Sequence, residues 1–89
     1  MLFVDEDMDM ISLRALVSAK LPEATALCAA FSGNDTDGYS FVIGYVGDDF
    51  KQRINSLLAR VNGSGGGKAP FVQGKASCKK QDIEALLID

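Results

Sequence analysis

The chain has 89 residues, 47% of them hydrophobic, a formal net charge of −3 and no histidine. That length makes one small domain, residues 1–89, and the apolar content is that of a globular protein. Without histidine the commonest general acid/base and metal ligand is gone, and no apolar stretch nears the ~20 residues of a membrane span.

Leu2-Phe3-Val4 is a short apolar segment that reads as a starting or edge strand. Asp9 is placed to cap a helix over Met10–Lys20, where Met10, Leu13, Val17 and Leu21 recur at spacings of three and four. Pro22 should end it, and Met8 and Met10 read as core packing. Ala24–Phe31 is a continuous apolar run, the mark of a strand buried on both faces. Ser32 to Gly38 is rich in turn residues; its carboxylates do not have the spacing of a calcium loop. Tyr39–Val46 alternates, so the two runs should pair as an antiparallel hairpin. Its face of Tyr39, Phe41, Ile43 and Tyr45 is expected to pack under a helix rather than stack bases.

Asp48 should cap a second helix, with Asp49 in its first turn and an apolar stripe of Phe50, Ile54, Leu57, Leu58 and Val61. Arg60 and then Asn62-Gly63 make its stop. Four glycines in the next five positions, Gly63 to Gly67, lead into Lys68 and are expected as a loop. Gly/Ser composition suits a linker, but successive bare amides followed by lysine also suit a phosphate-bearing partner. Neither a Walker loop nor a dinucleotide fingerprint fits: Asn62 and Ala69 break the first, and Lys68 stands where the second needs glycine. Phe71-Val72 reads as a further short strand, and Ser77 as the cap of a last helix over Cys78–Ile88 that buries Ile83, Leu86 and Leu87. Lys79 and Lys80 fall in its first turn, where the dipole disfavours cations.

Charge is uneven along the chain. Residues 1–50 carry two cations against nine carboxylates, net −7, whereas residues 51–89 carry seven cations against three carboxylates, net +4. The glycine run lies in the basic half, where a local positive surface can attract phosphate while the whole stays acidic. Cys28 and Cys78, too few for a disulfide framework, read as reduced thiols of a cytoplasmic protein, with neither metal nor cofactor implied.

The stretch Gly63-Ser64-Gly65-Gly66-Gly67-Lys68-Ala69-Pro70-Phe71-Val72-Gln73-Gly74, together with the hairpin Phe31-Ser32-Gly33…Asp37-Gly38-Tyr39, resembles the DHH-associated C-terminal domain. That domain ends alanyl-tRNA synthetases, the longer alanyl-tRNA editing proteins and many DHH phosphoesterases. The resemblance covers nearly the whole chain. It implies an α/β domain, β-α-β-β-α-(β)-α with a central mixed sheet, that forms part of a larger protein. It also implies an accessory tRNA-binding role at the outer corner of the tRNA, without catalysis of its own. The motif positions point to Gly65, Gly66, Gly67, Lys68, Gln73 and Gly74 for nucleic-acid contact. Lys75 and Arg60 join them by proximity in the chain. Phosphoesterase relatives typically carry a phosphate-binding histidine where this chain has Lys68. The implied partners are alanine-specific tRNA or another nucleic acid and the rest of the parent protein, with no membrane. Two further roles stay open: the substrate-binding half of a phosphoesterase, and a structural role that includes a homodimer.

Overall fold

A computed structural model describes residues 2–23, 27–67 and 70–86. Five strands form one mixed sheet in the order β1-β2-β3-β5-β4: β1 Leu2–Asp5, β2 Leu27–Asn34, β3 Gly38–Tyr45, β4 Gly63–Gly66 and β5 Phe71–Ala76. Helix α1 (Met10–Lys20) follows β1, α2 (Phe50–Arg60) follows β3, and α3 (Lys80–Glu84) follows β5. β1 runs parallel to β2, and every other neighbouring pair is antiparallel. The α/β reading with a central mixed sheet holds.

β2 and β3 are the centre of the core, buried on both faces. Leu27, Ala29, Phe31, Tyr39, Phe41 and Ile43 pack with Ile54 and Leu57 of α2, with Val61 just past its end, and with Ile83 of α3. Cys28, Ala30 and Val42 face the other way, onto Leu13 and Val17 of α1. The period of two in the strands and the three-to-four spacing in the helices produce this layering directly. The aromatic face therefore lies under a helix, with the Phe31 and Phe41 ring centroids 5.7 Å apart. Ser32 is the buried polar side chain among the described residues, and its hydroxyl accepts the Met8 amide at 2.7 Å.

Local chemistry explains the element ends. Asp9 caps α1 by accepting the Ser12 amide at 2.7 Å. Pro22 sits in a 3-10 turn, Leu21–Glu23, that closes the helix. The hairpin turn is built on Asn34, whose Oδ1 accepts the Thr36 and Asp37 amides, and on Gly38 at φ +87°. α2 stops where Asn62 takes φ +50°.

Four elements differ from the sequence expectation. β2 runs past Phe31 through Ser32, Gly33 and Asn34, expected in the turn, because they pair with Ser40, Tyr39 and Gly38. α2 starts one residue later, with Asp49 rather than Asp48 at its cap position. The Asp49 carboxylate does not cap the helix, because it accepts the Tyr45 hydroxyl at 2.6 Å. α3 starts at Lys80 and not at Cys78, since its acceptors come from elsewhere than Ser77. Asp35, in the hairpin turn, accepts the Lys80 amide at 2.7 Å and the Tyr39 hydroxyl at 2.8 Å, while Asp82 accepts the Lys79 amide. These two carboxylates also offset the misplaced lysines. The first part of the glycine run is not a loop: Gly63–Gly66 is the edge strand β4. Residues 24–26, the first part of the expected second strand, and Leu87 to Asp89 lie outside the described residues.

Phe41 is fully buried between β2, β5 and α2, whereas Ile11 on α1 is 82% exposed. Phe41→Ala should cost about 3–5 kcal/mol in urea denaturation and Ile11→Ala less than about 0.5 kcal/mol.

Hydrogen bonding holds three carboxyls below their ordinary range: Asp9 through the Ser12 amide, Asp35 through the Lys80 amide, Asp49 through the Tyr45 hydroxyl. Tyr39 is pushed up to about 12, by burial first and then by its bond to Asp35. A depressed carboxyl stabilises the fold above its unfolded pKa and loses that contribution as pH falls through the folded value. The melting temperature should therefore hold from neutrality to about pH 5 and fall below it. Asp35→Ala should lower the melting temperature at neutral pH and flatten the acid limb.

Candidate nucleic-acid interface

The glycine run becomes a strand because β5 offers it a full ladder. Gly63, Ser64, Gly65 and Gly66 stand opposite Ala76, Lys75, Gly74 and Gln73. The Ser77 amide donates to the Asn62 carbonyl at 3.2 Å and closes the pair at its start. Residues opposite each other share a face, and successive residues alternate. Val72, Gly74 and Ala76 therefore look toward α2, together with Gly63 and Gly65. Phe71, Gln73 and Lys75 look toward the α1 side, together with Ser64 and Gly66.

The α1 side of this strand pair is open. α1 packs on β2 and β3 and meets β5 at its start, where Phe71 packs against the cluster of Leu13 and Val17 and Arg14 reaches across. The Arg14 guanidinium lies over the Phe71 ring, 5.3 Å from its centroid, and its Nη1 donates to Gln73 Oε1 at 2.9 Å. Phe71 is half-buried, wedged against Gly44 of β3. Lys75 stands two residues beyond Gln73 on the same face, exposed. Neither Arg14 nor Lys75 has a carboxylate partner among the described residues, where the ion pair found is Lys20–Glu23. Two unpaired cations, an aromatic ring, an amide, a hydroxyl and bare backbone thus share one uncovered surface.

The glycines differ in what the fold asks of them. A Cβ on Gly65 would stand 2.3 Å from the Gln73 carbonyl oxygen, and one on Gly74 would stand 2.1 Å from that of Ser64. Gly67 has φ +154°, and its Cβ would meet the Phe71 carbonyl oxygen at 2.6 Å. These three are glycine because β4 and β5 approach too closely for anything larger. Gly66 is different: nothing lies within 4 Å of where its Cβ would be. No packing demand explains the missing side chain there.

On the opposite face, α2 and β4 border a groove of about 570 Å³. Phe50, Ile54, Leu58 and Val72 are its apolar side chains, Lys51 and Asn55 stand on the helix side, and the backbone of Gly65, Gly66 and Gly67 forms its β4 wall. The sequence reading did not single out Lys51, Asn55 or Arg14. No sequence signal marks Arg14, which lies in the acidic half and meets the basic half through long-range contacts with Phe71 and Gln73.

Of the residues the sequence pointed to, Gly66, Gln73 and Lys75 share the α1 side of the β4–β5 pair, Gly65 and Gly74 face the α2 side, and Gly67 follows β4 against the Phe71 carbonyl. Arg60 does not join them. Two residues beyond Leu58 at the end of α2, it lines a separate pocket with Asp82, Ala85 and Leu86 beside α3. Lys68 lies outside the described residues.

Elsewhere the chemistry is quiet. Cys28 is buried and Cys78 partly so; both are free, and burial raises both thiols. Among the described residues no three His, Cys, Asp or Glu side chains converge as a metal site, and no helix is long and apolar enough to cross a membrane. Comparison with protein-family models, with curated proteins and with solved structures gives no match.

The steric contrast has a direct consequence. Gly65→Ala and Gly74→Ala each force a backbone shift and should cost about 1–3 kcal/mol in thermal or urea melts. Gly66→Ala should leave the melting temperature within error of the parent. Equal losses at all three positions would show that Gly66 also answers a packing demand.

Proposed function

We propose that this chain is an accessory nucleic-acid-binding domain of the kind that ends alanyl-tRNA synthetases and alanyl-tRNA editing proteins. In this reading it is non-catalytic and works as part of a larger protein. The observation that carries the reading is the open α1 side of β4–β5, where Arg14 and Lys75 stand without carboxylate partners beside the bare backbone of Gly66. Cations and backbone amides grip phosphate and sugar, which positions an RNA without specifying its sequence. Phe71, added by the fold, and Gln73, already marked by the sequence, are of the types that meet bases. The glycine–lysine–Gln-Gly resemblance supports the same conclusion.

The groove on the other face suits a different use, clamping a small phosphorylated substrate as phosphoesterase relatives do. Its lining is mainly apolar, and Lys51 is its charged side chain. A phosphate-rich partner therefore matches the open face better than the groove.

The reading is tested by titrating alanine-specific tRNA into the 89-residue chain at several salt concentrations. Affinity should fall steeply as salt rises, as counterion release demands. Lys75→Ala should weaken binding and reduce the salt slope by about 1, while Arg60→Ala should leave both unchanged. Equal loss in both variants would move the interface off the β4–β5 face.

A further inference from the structure

The open face does more than present charge, because Arg14 is held in a way that a phosphate contact does not require. Its guanidinium lies over the Phe71 ring at 5.3 Å, and one nitrogen is tied to Gln73 Oε1 at 2.9 Å. Arginine only donates, so the amide oxygen of Gln73 must be the atom facing it. The amide NH2 of Gln73 then has no partner among the described residues, and its two N–H donors are free. Directly opposite Gln73 in the ladder stands Gly66, above which no protein atom lies within 4 Å of the Cβ position. A planar cation with an aromatic ring behind it, a free amide and an empty flat floor are thus adjacent on one exposed surface.

Resting on the nucleic-acid reading above, we infer that Arg14, Phe71, Gln73 and Gly66 form a platform for one unpaired base of a single-stranded RNA segment. The base lies on the outer side of the Arg14 guanidinium, which extends the stack that Phe71 begins. Gln73 is a positioning residue for Arg14, and its free NH2 donates to an acceptor on the base edge. Gly66 is bare so that the base and its ribose can approach the strand. Lys75, two residues along β5 on the same face, takes a phosphate of the next nucleotide. A lysine at position 14 would keep the charge and lose the plane, which separates this platform from a phosphate grip.

The test uses the 89-residue chain and an RNA 12-mer bearing one central 2-aminopurine, alone or annealed to its complement. Stacking quenches the probe, so its fluorescence reports the base and not the backbone. The single strand should bind about tenfold or more tightly than the duplex, with quenching on binding. Arg14→Lys, at an exposed position that leaves the core intact, should weaken the single strand about 5- to 100-fold and abolish quenching, with the salt slope and duplex affinity unchanged. Gly66→Leu should reduce single-strand binding in the same way while preserving the melting temperature. If Arg14→Lys binds and quenches like the parent, or if duplex and single strand bind equally, the base platform is wrong and the phosphate-gripping interface stands. If the folded parent chain binds neither RNA at low salt, the nucleic-acid reading itself fails, and the platform with it.

Discussion

The two-sided burial of the β2–β3 hairpin is the constraint on which the rest of this structure depends. Cys28, Ala29, Ala30 and Phe31, with Phe41, Val42 and Ile43, are all fully excluded from water. Such strands must be covered above and below, so the chain commits α1 to one face and α2 with α3 to the other. A helix is about 10 Å across and strands are about 4.8 Å apart, so one helix covers roughly two strands. The single helix on its side, α1, is spent on β2 and β3. Beyond Phe71, β5 and β4 are thereby left uncovered on that face among the described residues, and the candidate interface lies there.

Long-range polar contacts fasten the periphery to this centre. The Asp35 carboxylate joins the hairpin turn to the start of α3 and to the Tyr39 hydroxyl, so one side chain fixes two elements. The Ser32 hydroxyl ties the loop before α1 to β2. Arg14 ties α1 to β5. The first two bonds hold elements that the core alone would leave to slide. The third sets a cation on a surface whose neighbouring strand has almost no side chains.

Much of the fold was legible in the residues themselves. The spacing of Leu13 and Val17, the alternation from Tyr39 to Tyr45 and the stripe of Ile54, Leu57 and Val61 each gave the right element and the right buried face, because period and burial are coupled. Asp9 and Asn62 marked helix ends correctly, since their chemistry is local. The starts of α2 and α3 were misplaced because each depends on a partner outside the helix: Tyr45 takes the Asp49 carboxylate, and Asp35 supplies the acceptor for Lys80. The glycine run by itself suggests a loop because glycine has low strand propensity, which the ladder with β5 overrides.

Within the candidate site the division is similar. The sequence by itself determined the hairpin and the amphipathic helices. These rest on local periodicity and on residue types whose meaning does not depend on partners. Only the tertiary structure decided that Arg14 belongs to that surface and Arg60 does not, and that Gly66 is open where Gly65 and Gly74 are jammed. Those distinctions arise from contacts between segments far apart in the chain, or from strand register, where a shift of one residue exchanges the two faces of the sheet.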